Sequence, residues 1–309
     1  MTFRVTILGS GSAMPAPGKY NSAHILNVYE QFYLIDCGEG TQIQMRKYGI
    51  NPLKLRAIFI SHQHGDHVFG LPGLISTMNF LKRGTPLYIF GIKGLKEIID
   101  FHIQHFEPGL NFEIIFKEIN ARSSDLIFEN KVMEVFTIPL RHKIPSCGFL
   151  FKEKQPLRNI KKEAVDNFNF TIPQLHSLKN GENIIMEDGP VLNNKEVTYV
   201  PYSPRSYAYC SDTAYSPKVG EIVKNTDLLY HESTYLEMDK KLAKLSGHST
   251  ATQAAKIALQ ANASELLLGH FSSRYKDLSL FENEAKEIFP NTVIANEGDQ
   301  FDINIKNED

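Results

Sequence analysis

Three imidazoles and a carboxylate stand within the run Ser61-His62-Gln63-His64-Gly65-Asp66-His67, directly after the apolar stretch Leu55-Arg56-Ala57-Ile58-Phe59-Ile60. Neutral histidine and aspartate suit a divalent ion such as zinc, so the segment points to metal-assisted hydrolysis. Alternate side chains of an extended strand share one side, which lets His62 and His64 reach the same ion. The turn at Gly65 presents Asp66 and His67 to a neighbouring position. Two ions about 3.5–4 Å apart would hold and deprotonate a water between them. A lone histidine is more often structural or exposed; this density is not explained that way.

These four residues cannot complete two catalytic sites, so distant ligands are required. His142 follows Val135-Phe136-Thr137-Ile138-Pro139-Leu140, Asp212 follows Tyr207-Ala208-Tyr209-Cys210-Ser211, and His270 follows Leu266-Leu267-Leu268-Gly269. Each stands where a β-rich run gives way to a loop, the place where groups from separate strands meet at one edge of a layered fold. Asp36, after Phe32-Tyr33-Leu34-Ile35, could accept a hydrogen bond from a ligand histidine or simply cap a turn.

Nearly end to end, the chain resembles the short form of the ribonuclease Z family, transfer RNA 3′-processing endonucleases of the metallo-β-lactamase superfamily. The histidine-rich motif marks only the superfamily. The narrower resemblance rests on Leu8-Gly9-Ser10-Gly11-Ser12-Ala13, Asp36-Cys37-Gly38-Glu39-Gly40-Thr41-Gln42, Gly70-Leu71-Pro72-Gly73-Leu74, Ser211-Asp212-Thr213, His231-Glu232-Ser233-Thr234, Gly247-His248-Ser249-Thr250 and Gly269-His270-Phe271-Ser272-Ser273-Arg274-Tyr275. It implies two zinc ions per chain: His62, His64 and His142 on one, Asp66, His67 and His270 on the other, and Asp212 bridging. Asp66 would also orient the nucleophilic water or accept its proton. Glu232 and His248 resemble the family's catalytic pair, His248 protonating the departing ribose 3′-oxygen and Glu232 favouring the charged ring. The reaction so implied removes the 3′ trailer from precursor transfer RNA. It leaves a 3′-hydroxyl on the tRNA and a 5′-phosphate on the trailer, and related enzymes are homodimers.

Short β-rich segments alternate with helical ones such as Thr41 to Tyr48 and Thr250 to Gln260, so the chain reads as mixed α/β. The resemblance sharpens this to an αββα four-layer metallo-β-lactamase sandwich: one catalytic domain over 1–309 with a flexible RNA-binding arm inserted at about 151–181. That segment reads as irregular, with Lys152, Lys154, Arg158, Lys161 and Lys162 ahead of Phe168-Asn169-Phe170, and its cations are candidate phosphate contacts. A solvated basic loop is the plainer reading. The arm departs from the family pattern at Ile172-Pro173-Gln174-Leu175-His176-Ser177-Leu178-Lys179-Asn180-Gly181, where the usual glycine-proline element is missing. Ser249 and Thr250 could contact phosphate or cap the helix that follows, and Arg274 could contact phosphate or join a surface ion pair.

A length of 309 residues with 42% hydrophobic content supports a globular protein. The formal charge of −2 gives no global nucleic-acid footprint, so RNA binding must rest on local patches. Three cysteines make no disulfide framework. The amino terminus lacks a secretion signal and no apolar run approaches about 20 residues, so a cytoplasmic protein without a membrane span is expected. Gly9-Ser10-Gly11-Ser12 lacks a following Gly-Lys-Ser/Thr and reads as a tight turn. Other phosphodiester or ester hydrolysis at the same metals is the second reading. A non-catalytic RNA-binding protein is the third, disfavoured because the ligand set is intact. The segments around Glu232 and His248 disfavour a thioesterase, and Asp66-His67 disfavours a flavin-iron oxidoreductase.

Overall fold

The computed structural model describes residues 1–14, 18–186 and 189–306. Two seven-stranded sheets form its frame. The first runs, in spatial order, Gln300–Asp302, Phe3–Gly9, Ala23–Val28, Gln31–Ile35, Leu55–Phe59, Leu87–Gly91 and Ile114–Glu118. The second runs Thr292–Ile294, Glu265–Gly269, Leu228–Glu232, Ser206–Cys210, Cys147–Glu153, Met133–Pro139 and Leu126–Glu129.

Alternation along the strands builds four layers. Tyr33 and Ile35 join Phe59, Phe149, Phe151, Tyr207, Tyr209 and Tyr230 in the core between the sheets. Leu34 and Ile58 face the other way and pack with Met45, Leu71, Leu74, Ile75, Leu95 and Ile99 from the helices Thr41–Lys47, Gly70–Phe80 and Leu95–Phe106. On the second sheet, Ala208, Leu229, Leu266 and Leu268 pack with Val219, Ala254, Ala255, Ala258, Phe281 and Ala285 from Pro217–Ile222, Ala251–Ala261 and Ser279–Lys286. Strands buried on both faces read as continuous apolar runs, which is how these runs appear in the sequence. The architecture is the αββα sandwich.

Parallel pairing sets where chemistry can gather. Gln31–Ile35, Leu55–Phe59, Leu87–Gly91 and Ile114–Glu118 are mutually parallel, as are Ser206–Cys210, Leu228–Glu232, Glu265–Gly269 and Thr292–Ile294. Their carboxyl ends therefore lie on one edge of each sheet, and the loops bearing His62, Asp212 and His270 leave from those ends.

Lys152–Arg205, with the chain from Asn304, forms a compact unit separate from Met1–Phe151 and Ser206–Ile303. The range 151–181, read from sequence as irregular, carries the helices Lys162–Asn167 and Ile172–Lys179. Thr171 and Gln174 make a reciprocal capping box at the start of the second, and the small core holds Ala164, Leu178, Ile184 and Val197. Helices this short give too few turns for a periodic pattern to be read. At the base of the unit Arg205 and Glu153 form a buried bidentate pair at 2.7 and 2.8 Å, and Glu153 N donates to Arg205 O at 2.8 Å.

Candidate metal centre

The loop after Leu55–Phe59 is held against the chain by close backbone packing. Cys37 N donates to His67 O at 2.8 Å and Gly70 N to Cys37 O at 2.9 Å. A Cβ on Gly70 would come within 2.1 Å of Gly38 O, so only glycine lets the helix Gly70–Phe80 start this close. Asp66 Oδ2 accepts the Ala13 backbone N–H at 2.7 Å, which fixes that carboxylate.

Two groups of lone pairs converge. His62 Nε2 lies 3.1 Å from His64 Nδ1, which lies 3.3 Å from His142 Nε2. His67 Nε2 lies 3.3 Å from His270 Nε2, and these nitrogens are 3.5 and 3.4 Å from Asp66 Oδ2. Asp212 faces both groups: Oδ2 is 3.4 Å from His62 Nε2 and 3.6 Å from His142 Nε2, while Oδ1 is 3.2 Å from His67 Nε2 and 3.1 Å from His270 Nε2. A tetrahedron with zinc bonds of about 2.0–2.1 Å has edges of about 3.3–3.4 Å. The donor separations match those edges, so the residues fit two such ions sharing one carboxylate.

Each imidazole is held by its remote nitrogen. His62 Nδ1 is 3.0 Å from Ser61 Oγ, His67 Nδ1 is 2.7 Å from Asp36 Oδ2, His142 Nδ1 donates to Gly247 O at 2.9 Å, and His270 Nδ1 is 3.0 Å from Thr234 Oγ1. Ser61 Oγ and Thr234 Oγ1 spend their own hydrogens on Asp36 and Glu232, so they accept from the rings. Such partners select the tautomer whose free lone pair points inward.

Charge follows the same design. Burial disfavours a charged Asp212, but His270, His67 and His62 outweigh it and hold that carboxyl well below its ordinary pKa. Asp66 is held low in the same way by His67 and His270. Burial also opposes a charged His67, yet Asp212, Asp36 and Asp66 push its pKa well above the ordinary value. His142 falls to about 4 because burial prevails over the pull of Asp212, leaving a neutral ring. Ionised carboxylates at the bottom of a cleft call for positive charge, and a divalent cation supplies it.

Glu232 is fully buried. Its Oε1 accepts from Thr213 N at 2.9 Å and lies 2.8 Å from His248 Nδ1; its Oε2 accepts from Thr234 N and Oγ1 at 3.0 and 2.7 Å. Burial opposes the charge on His248, but Glu232 and then Asp212 raise its pKa to about 9. Its Nδ1 stands 3.9 Å from Asp212 Oδ2, beside the donor cluster. His231 turns away and holds Glu232 O at 2.7 Å.

Other sequence candidates fall outside this cluster. Ser249 is buried and donates to Thr213 O at 2.7 Å, and Thr250 caps Ala251–Ala261 in a capping box with Gln253. Their hydroxyls therefore follow the capping and packing reading rather than the phosphate one. Arg274 is exposed and lies 5.2 Å over the Tyr235 ring. Lys152, Lys154, Arg158, Lys161 and Lys162 belong to the separate unit, where Arg158 bonds Thr198 and Lys161 bonds Glu196 O. Sequence reasoning did not single out Tyr209, Thr234 or the Gly247 carbonyl. Thr234 and Gly247 lie inside the quoted motifs; no local signal marks Tyr209.

Comparison with known proteins supplies the family. Residues 3–188 match the family model described as Anti-Pycsar protein Apyc1. A ribonuclease Z of Bacteroides fragilis strain YCH46 is 43% identical over 295 residues, 96% of this chain and 97% of that protein. Among solved structures, human tRNase Z, short form, has a TM-score of 0.71 and 26% identity, covering 96% of this chain and 98% of its own. The metallo-β-lactamase fold protein YhfI of Bacillus subtilis, 19% identical with a TM-score of 0.69 over 98% of this chain and all of that one, shares the fold. By these likenesses the chain belongs over residues 3–188 to the family described as Anti-Pycsar protein Apyc1 and, along almost its whole length, to ribonuclease Z.

Proposed function

We propose that this protein is a zinc-dependent endoribonuclease that removes the 3′ trailer from precursor transfer RNA, leaving a 3′-hydroxyl on the tRNA and a 5′-phosphate on the trailer. The observation that carries this reading is the Glu232–His248 pair beside two donor groups that share Asp212. His62, His64 and His142 would hold one zinc ion, Asp66, His67 and His270 the second, with Asp212 between them. Bound zinc would polarise the phosphodiester and lower the pKa of the attacking water. Asp66, oriented by Ala13 N–H, steers that water and can take its proton. His248, its Nδ1 engaged by Glu232, delivers a proton from Nε2 to the departing 3′-oxygen.

The unit Lys152–Arg205 serves as the exosite that grips the body of the tRNA, through Lys152, Lys154, Lys162 and their neighbours. Arg274 is a further phosphate contact. The enzyme acts in the cytoplasm as a homodimer. Exposed Ile43, Phe80 and Leu81 line a cavity of about 1080 Å³ on the helices Thr41–Lys47 and Gly70–Phe80, an apolar face suited to a second copy. Among the described residues no helix is long and apolar enough to cross a membrane.

Mapping both ends of the products from a defined precursor tRNA tests the function. Cleavage at the 3′ side of the tRNA, with the stated termini, is expected. Cleavage elsewhere, or termini of the opposite polarity, would replace it with another phosphodiesterase activity.

A further inference from the structure

Next to His142 the protein carries a cavity of about 540 Å³ to which none of the foregoing assigns a role. Arg122, Arg141, Lys143 and Lys244 line it, and no acidic residue does. Across the chain 33 of 309 residues are Lys or Arg, so four permanent cations around one small cavity are a marked concentration in a protein of net charge −2. Elsewhere surface lysines are paired, as in Lys96–Asp100, Lys240–Glu237 and Lys286–Glu282. Among the described residues none of these four makes an ion pair, so their charge is left for a ligand. Leu245, 74% exposed, and Pro145 supply apolar surface on the same wall.

We infer that this cavity is a nucleotide subsite that takes the backbone phosphate and base at the mature 3′ end of the RNA, on the 5′ side of the scissile bond. Cations set the phosphate and the apolar wall accepts the base face without reading sequence. The side follows from the chain: Gly247 lines the cavity, its carbonyl fixes His142, and the next residue is His248. On the proposed function, on which this inference rests, His248 protonates the ribose 3′-oxygen of that same nucleotide. The nucleotide carrying that oxygen must therefore lie on the His248 side.

The test compares Arg122→Ala/Lys244→Ala with wild type and with Lys96→Ala, a surface control on the distant helix Leu95–Phe106. Substrates are precursor tRNA and bis(p-nitrophenyl) phosphate. The double variant should raise KM for precursor tRNA about tenfold more than for the small diester, and reduce the slope of log K against log salt by about two, one per lost phosphate contact. Inhibition by mature tRNA lacking CCA should weaken by the same factor, and inhibition by a 5′-phosphorylated trailer oligonucleotide should not. An unchanged salt slope and KM would overturn the subsite, as would equal losses on both substrates. Selective loss of trailer inhibition would overturn its assignment to the mature end. Failure of the wild-type protein to process precursor tRNA would instead remove the substrate reading. In that case inhibition of diester hydrolysis by a short single-stranded RNA still decides the cavity, because the double variant must weaken it.

Discussion

Tyr209 and Asp36 meet across the two sheets: the phenol donates to Asp36 Oδ2 at 2.7 Å, and the same oxygen lies 2.7 Å from His67 Nδ1. Ser61 N and Oγ donate to this carboxylate at 2.7 and 2.8 Å, and the Asp36 backbone adopts φ 55° to reach them. Loss of the phenol should loosen the carboxylate that aims His67. Tyr209→Phe is expected to weaken metal affinity about 10-fold, the lower end of the range for such partners. It should also cost about 1.5–3 kcal/mol in stability, as for a hydrogen bond to a charged group. Zinc titration of the apoprotein and denaturant unfolding read the two effects; unchanged zinc affinity would remove Tyr209 from the positioning chain.

Asp212 presents one oxygen to each donor group. Asp212→Ala should therefore lower occupancy at both positions together and abolish most cleavage. Metal analysis of the folded variant checks this, and full occupancy would show that Asp212 does not bridge.

His248 stands outside the two triads. His248→Ala should keep the metal content and slow precursor tRNA cleavage by about 10²–10⁴-fold, the usual range for a general acid. An activated diester, whose phenolate leaves without a proton, should suffer much less. Equal loss on both substrates would point to disturbed substrate placement instead.

The pH profile gives a separate handle. Glu232 raises the His248 pKa to about 9, so the acid is protonated below that value and lost as pH rises through it. Glu232→Gln removes the charge, the His248 pKa falls, and the basic limb of the rate profile should move to lower pH. A limb that stays in place would assign it to another group.

The Glu153–Arg205 pair places the two ends of the exosite unit side by side. Replacing residues 155–203 with a short glycine-rich linker should keep hydrolysis of the small diester and raise KM for precursor tRNA. Equal losses on both would contradict an exosite that acts only on RNA binding.

Much of the site is legible in the chain because its donors follow strands. His142, Asp212 and His270 stand just beyond apolar runs, and parallel pairing carries the last two to one edge of their sheet. Partners set by sheet packing are another matter. Tyr209 reaches Asp36 across the interior from a position like any other core tyrosine, and nothing local distinguishes it from Tyr207, whose hydroxyl lies 2.7 Å from His24 Nδ1. The helices of Lys152–Arg205 were hidden by their brevity, and the hydroxyls of Ser249 and Thr250 by an ambiguity of type: the same groups that suit phosphate also suit a helix start.

The donors are spread unevenly along the chain, four by residue 67 and the last at residue 270, with the two groups drawn from both sheets. A ribosome that has released only the first sheet exposes three histidines and an aspartate with no partner able to complete either group. Charging with metal must follow synthesis of Glu265–Gly269 and its docking beside Leu228–Glu232. Once both ions are bound they tie the sheets together, and the folded state gains stability with free metal concentration. Premature capture of metal by the emerging His62–His67 segment would instead favour an unfinished chain, making metal supply during synthesis a determinant of yield.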